Sequence, residues 1–311
     1  MLSKVAERVY WTARYLQRVE NTARFICIYD TLLFDLPRHV KLSWYNLIII
    51  NSLEDDFAQR YTVADERNIV KFMVGEESNP ASIVSSISYL RENVRTTRDV
   101  VLEETWELVN ELSIYVQDNM QQGINRSQRH AFLEKIIQAC QQIQGLLIGN
   151  MPHDNAYKFL RLGRNLELTD MTTRNLDTAM AAVLELEGDE HAVNSQQIIW
   201  GTLLRSLNAH QSYRRTVRVS VRNTEVVTYL LEDKQQPRAI AHCLAQMLNT
   251  AKELPRSDGV VEELKRIQAN TFQQEHYSDL GENLRDYLNE LQINIANVHR
   301  LFSATWFPSN T

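Results

Sequence analysis

The chain has 311 residues, 44% of them apolar, and a formal charge of −6. That suits one or two packed globular domains and excludes both a disordered chain and a generic polyanion binder. Only 9 Gly and 6 Pro occur, and Arg (25) far outnumbers Lys (8); long helices are expected, with forked guanidinium contacts to acids of neighbouring helices or to an anionic ligand.

Residues 3–36 run without Gly or Pro as far as Pro37, and Ser3 is placed to cap a helix there. Leu2, Val5, Val9, Ala13, Leu16, Ala23 and Cys27 recur at three- and four-residue steps, the pattern of a helix buried along one stripe. The opening MLSKVAERVYW has interspersed charges and no apolar core, so it does not read as a signal peptide. The most apolar run, LSWYNLIIINSL at 42–53, is too short to span a bilayer, so the expected compartment is the cytoplasm. In VKFMVGEESNPASIVSSI (70–87) an apolar segment ends in an acidic turn, and Pro80 is expected to start the next helix. RENVRTTRD (91–99) sets Arg91, Arg95 and Arg98 on one helical face, with Glu103 and Glu104 as expected partners. Residues 127–148 carry Phe132, Ile136, Ile137, Ile143 and Leu147 at helical period.

A second long helix is expected from near Pro152, capped by Asp154, through Phe159, Leu166 and Leu176 to about Leu186, with the Gly188 region ending it. TVRVSVRN (216–223) alternates as a strand would, but one such run makes no sheet. Leu284, Tyr287, Leu288, Leu291, Ile295, Val298 and Phe302 make 280–304 a closing helix. In the tail SATWFPSNT, Trp306 and Phe307 either pack back or dock on a partner.

Much of the second half repeats the first. RYLQRVENTAR (14–24) matches RNLELTDMTTR (164–174), Trp44 and Leu47 match Trp200 and Leu203, and VKFMVGEESNPASIVSSI matches VTYLLEDKQQPRAIAHCL (227–244) without a gap. The expected fold is all-α: a bundle-like array of about twelve helices, built from a tandem duplication of a six-helix unit over 1–152 and 153–311, in one compact body.

At about 100° per residue, Glu7, Tyr10, Arg14, Gln17, Asn21 and Arg24 share one stripe, as do Leu160, Arg164, Glu167, Met171 and Arg174. Glu20 and Asp170 lie beside the apolar stripe, where an unpaired carboxylate costs several kcal/mol. Arg24 and Arg174, four residues on, are their expected partners. Two readings follow. The repeated set is a structural ion-pair network, or the two long helices face each other and Arg14, Arg24, Arg164 and Arg174 line a cleft that binds a carboxylate or phosphate, with Glu167 opposing them.

MLSKVAERVYWTARYLQRVENTARF, FLRLGRNLELTDMTTRNLD (159–177), the stretch from NPASI at Asn79 to Trp106, and QPRAI near Pro237 resemble the alpha-E domain family, bacterial all-helical proteins named for a Glu-Arg pair. The resemblance covers essentially the whole chain. It implies genes encoded beside circularly permuted ATP-grasp ligase-like and transglutaminase-like proteins, and a role as partner in ATP-dependent amide-bond formation or peptide modification. Here the chain departs from the family: the pair reads Gln17-Arg18 in one copy and Glu167-Leu168 in the other, so each copy keeps half. Either one composite site survives, Glu167 with first-copy Arg residues, or the pair is architectural; the loss weighs towards architecture or binding over acid–base catalysis by each half.

The rest of the sequence adds little chemistry. Eight scattered His and three distant Cys (Cys27, Cys140, Cys243) make no metal or disulfide spacing, so no metal or cofactor is expected. His242 reads as a satisfied core residue, and His153 with Asp154 as part of a helix cap. No phosphate-binding loop or nucleophile elbow occurs, so any ATP belongs to a partner. Arg214, Arg215, Arg218 and Arg222 form a short basic run without the aromatic platforms of a nucleic-acid binder. Three functions stand: an accessory subunit that presents an anionic small molecule or peptide to a ligase, an enzyme using Glu167 as acid or base, and a structural assembly protein. The binding set is Arg14, Gln17, Arg18, Glu20, Arg24, Arg164, Glu167, Asp170 and Arg174; nucleic-acid and membrane partners are not expected, and a homo-oligomer is possible.

Overall fold

A computed structural model describes residues 2–36, 43–186, 192–218, 221–272 and 281–308, and all the regular structure among them is helical. Fourteen helices are described: α1 Ser3–Asp35, α2 Asn46–Ile50, α3 Glu54–Ala58, α4 Glu66–Gly75, α5 Ile83–Arg95, α6 Glu103–Ile124, α7 Arg126–Asn150, α8 Asn155–Leu184, α9 Ala192–Ser206, α10 His210–Thr216, α11 Asn223–Glu232, α12 Ile240–Ala251, α13 Asp258–Thr271 and α14 Glu282–Trp306. The expected twelve become fourteen because α3 and α10 are too short to show a period in sequence. The expected ends at Pro37 and Gly188 lie outside the described residues. TVRVSVRN forms no strand in its described part, where α10 ends and α11 begins; residues 219–220 lie outside that part.

Two compact units emerge, and they do not follow the chain halves. Unit 1 comprises Met1–Tyr29, Trp44–Glu167 and Trp306–Thr311; unit 2 comprises Asp30–Ser43 and Leu168–Thr305. α1 and α8 therefore each contribute to both, and residue 152 falls inside unit 1. In unit 1, α6 packs on α4, α5 and α7; in unit 2, α12 packs on α11 and α13, and α9 on α10 and α11.

The helix starts follow local chemistry. Asp65 accepts from Asn68 N at 2.8 Å to cap α4, and Ser82 accepts from Ser85 N at 3.1 Å to cap α5. As expected, Asp154 caps α8, its Oδ1 accepting from Ala156 N at 2.9 Å and Tyr157 N at 3.2 Å, while His153 stacks on Tyr157. Asp154→Ala is expected to cost about 1 kcal/mol, read as a lower urea midpoint with an unchanged slope. Ser3 is not the cap of α1: it is already helical, and the Leu2 carbonyl accepts from Val5 N and Ala6 N. Nor do Pro80 and Pro237 begin helices. Each sits second in a turn closed by Ser82 N to Asn79 O (3.1 Å) or Ala239 N to Gln236 O (3.0 Å), where its fixed φ fits, and α5 and α12 begin three residues later.

One pair of matched stretches buries corresponding residues. Ile69, Val70, Phe72, Met73 and Val74 of α4 are buried, as are Val226, Val227, Tyr229, Leu230 and Leu231 at the corresponding positions of α11. Trp200 is fully buried, whereas its counterpart Trp44 is half-exposed before the short α2. The tail packs back: in unit 1, Trp306 and Phe307 contact Phe159 at ring separations of 5.5 and 5.6 Å, and Phe307 contacts Tyr10 at 5.3 Å.

Candidate functional site

The single buried stripe expected of the long helices is too narrow a description. From Val9 to Ala23 in α1 and from Phe159 to Leu176 in α8, side chains on nearly every face are buried or half-buried. A helix surrounded in this way has no solvent side for its polar residues, so those residues must find partners inside.

In unit 1 they do. The carboxylate of Glu167, 1% exposed, accepts from Arg14 Nε at 2.7 Å, from Arg18 Nε at 2.7 Å and from Arg18 Nη2 at 3.1 Å. Burial alone would raise its pKa; the charges and hydrogen bonds of Arg18 and Arg14 outweigh that and hold it at about 2. Aromatic rings floor the two guanidiniums, with Arg14 4.6 Å from the Trp11 centroid and Arg18 5.7 Å from that of Tyr15. Trp11 stacks on Tyr15, and Tyr15 in turn meets Tyr89 of α5. Burial pushes the Tyr10 phenol up to about 12, with the Arg14 charge opposing and that of Glu167 assisting. Arg18 and Glu167 are the surviving halves of the two broken Glu-Arg pairs, and they are bonded to each other.

A second cluster lies on Glu20, which is 2% exposed. It accepts from Arg24 Nη2 at 2.7 Å, the expected partner, and also from Gln144 Nε2 of α7 at 2.6 Å and Gln17 Nε2 at 3.3 Å. Arg164 is different: among the described residues it has no carboxylate partner, and its buried Nε has no acceptor. It lines a cavity of about 10 Å³ together with Gln17 and Gln144. Where the sequence suggested an open cleft, the facing parts of α1 and α8 in unit 1 are in direct contact. A Cβ built on Gly163 would collide with the carbonyl oxygen of Tyr10.

Asp170 and Arg174 belong to unit 2. Arg174 Nε donates to both carboxylate oxygens of Asp170 at 3.1 Å, the expected pairing. The sequence missed Gln144 and the Tyr10–Gly163 contact; a glycine inside an otherwise helical pattern was the one available signal of close approach.

The other candidates resolve into structural roles. Arg91 and Arg98 lie over Trp106, at 5.2 and 3.9 Å, and Arg95 pairs with Glu92, so Glu103 and Glu104 are not their partners; α5 stops at Arg95, which takes Arg98 off the helical face. His242 is half-exposed, outside the core, and its Nδ1 bonds the Lys234 carbonyl at 2.8 Å. Cys140 and Cys243 are buried, with Cys243 Sγ donating to the Pro237 carbonyl at 3.3 Å, and Cys27 is half-buried. Among the described residues no group of three His, Cys, Asp or Glu could hold a metal ion, and no helix is long and apolar enough to cross a membrane.

Comparison with known proteins agrees with the helical reading. A family profile described as a predicted alpha-helical domain with a conserved ER motif matches residues 1–307. Uncharacterized proteins of Mycobacterium bovis and of two strains of Mycobacterium tuberculosis are 23% identical over 324 residues, covering 95% of this chain. The chain spans only 35% of the length of these relatives. No solved structure matches it.

Proposed function

Since the chain belongs to the Alpha-E family, matched over residues 1–307, we propose that it is a non-catalytic helical partner of an ATP-grasp-type amide ligase, working in the cytoplasm. In this role its Arg-rich helices hold a carboxylate- or phosphate-bearing substrate or peptide. The observation that carries this reading is Arg164, a partly exposed guanidinium with no carboxylate partner among the described residues, in a set where Arg14, Arg18, Arg24 and Arg174 each have one. Such a group takes an anion by charge-assisted hydrogen bonds at no cost in broken ion pairs. The relatives lend support, because the matched region is covalently joined there to a longer chain, as an accessory module would be.

Glu167 is poorly suited to the alternative role of acid or base. A carboxylate at about 2, held by three N–H donors, carries no proton to give at neutral pH and is a weak base. A purely structural role has an observation of its own in the pairing of Glu20 with Arg24 and Asp170 with Arg174.

The test is sedimentation of the chain with an ATP-grasp-type ligase, with and without a carboxylate-bearing peptide. A complex that retains the peptide is expected, and Arg164→Gln should weaken retention about 10-fold or more while leaving the fold intact. A chain that ignores ligase and peptide at micromolar concentrations refutes the accessory role, and a complex indifferent to Arg164→Gln supports the structural one.

A further inference from the structure

The acid pair Glu76-Glu77 starts the turn that joins α4 to α5, and its two members fare differently. Both carboxylate oxygens of Glu76 are taken, one by the Tyr61 hydroxyl at 3.1 Å and the other by the Ser78 hydroxyl at 3.0 Å. Glu77 is exposed, and among the described residues its carboxylate has neither a cationic partner nor a hydrogen bond. Its backbone is nonetheless fixed. The Glu77 carbonyl accepts from Ser85 Oγ at 3.0 Å, and Asn79 N and Ser82 N close the turn on Glu76 O and Asn79 O.

Glu77 lines a half-open cavity of about 270 Å³ in unit 1, bounded by that turn, α5 and α6. Buried Ile87 and Val116 give it an apolar floor, and exposed Ser88 and Gln117 add neutral polar groups. Tyr89, 45% exposed, also lines it, with its ring held against Tyr15 at 5.3 Å. No Lys, Arg or His does, so Glu77 gives the cavity its one formal charge. The first turn of α5 could otherwise attract an anion, but Ser82 Oγ accepts from Ser85 N at 3.1 Å and Ser82 O from Ser86 N at 2.9 Å. An exposed carboxylate by itself is merely hydrated. One beside a hollow with an apolar floor and an aromatic wall favours a cation with a hydrocarbon tail: the acid and the ring attract the charge, and the floor takes the chain.

We infer that this cavity binds a primary ammonium carried on a short alkyl chain, with Glu77 as its counter-ion and Ser88 and Gln117 as further acceptors. A carboxylate or phosphate is repelled there, so the site is separate from the anion site read at Arg164. The two readings are independent, and an amine is the other half of the bond that an amide ligase makes.

Titration of the full chain with pentylammonium should move the NMR signals of Ser88, Tyr89 and Gln117 with a Kd on the order of 1 mM. Pentanoate, of the same length and opposite charge, should leave them in place. Glu77→Gln should weaken binding about 10-fold or more. Glu134→Gln, which alters an exposed acid of α7 outside the cavity, should leave it unchanged. Ser88→Trp, which fills the cavity and keeps its charge, should abolish it. Glu77 and Ser88 are both exposed, so both variants are expected to fold. Leucinamide stands in for a peptide N-terminus: binding tighter than that of pentylammonium points to a peptide as the source of the amine, weaker binding to a free alkylamine. Pentanol or pentanoate binding as tightly as pentylammonium overturns the inference. So does unchanged binding in Glu77→Gln or Ser88→Trp, or a set of shifts lying away from residues 84–89 and 113–117.

Discussion

Glu167→Ala is expected to lower the unfolding free energy by about 3–5 kcal/mol, measured by urea denaturation at pH 7. The size comes from what remains behind. Glu167 is the carboxylate that both Arg14 and Arg18 bond, and the Arg14 side chain is only 10% exposed. Deleting the acid leaves guanidiniums that were desolvated for its sake, and that penalty exceeds the net worth of the pair itself. Glu167→Gln keeps the shape and one acceptor and should fall between the parent and the alanine variant. The same link titrates. The Glu167 carboxyl is held at about 2 against an ordinary 4.5, so its contribution is fully present above about pH 4.5 and is lost as the pH falls towards 2. Integrated over that window it amounts to about 3 kcal/mol. Stability of the parent should therefore drop across pH 4.5–2 by more than that of Glu167→Ala. If the two fall in parallel, or if the alanine variant lies within about 1 kcal/mol of the parent, the ion pair does not hold the helices.

Gly163→Val should yield no cooperatively folded unit 1, and Gly163→Ala should lose about 1–3 kcal/mol or more. Helix propensity predicts the opposite sign, since alanine is worth about 1 kcal/mol over glycine within a helix. The clash decides. The Cβ would strike the Tyr10 carbonyl oxygen, with the carbonyl carbon at 3.1 Å and the ring at 3.2 Å. Backbone cannot swing aside as a side chain does, so α1 would have to retreat and carry Arg14 and Arg18 away from Glu167. Circular dichroism and thermal melting of the alanine variant distinguish the two forces: a raised Tm would mean that the helices have room at this point.

The sequence read most clearly where partners are near in the chain. Glu20 with Arg24, Asp170 with Arg174 and the Asp154 cap follow from spacings of two to four residues, because helix geometry alone brings those groups together. The all-helical class was equally legible from the scarcity of breakers. What failed depended on tertiary context. Pro80 and Pro237 suit either a first helical position or the second place of a turn, and only the surrounding hydrogen bonds choose the turn. Gln144 reaches Glu20 across 124 positions, and the Tyr10–Gly163 contact joins residues still farther apart; no periodicity encodes either. The bond of Arg18 to Glu167 joins a first-copy arginine to the second-copy acid, the composite that the broken Glu-Arg pairs leave open in the sequence.

The seating of Trp306 and Phe307 on Phe159 and Tyr10 has a consequence for biosynthesis. Translation runs from one end, so the first residues of unit 1 leave the ribosome long before the two rings that finish its aromatic cluster. At about 5–20 residues per second the intervening stretch, 168–305, takes on the order of ten seconds to make. Throughout that interval Phe159 and Tyr10 have no lid of their own, and a nascent chain stalled before position 306 offers that greasy seat to chaperones or to neighbouring polysomes.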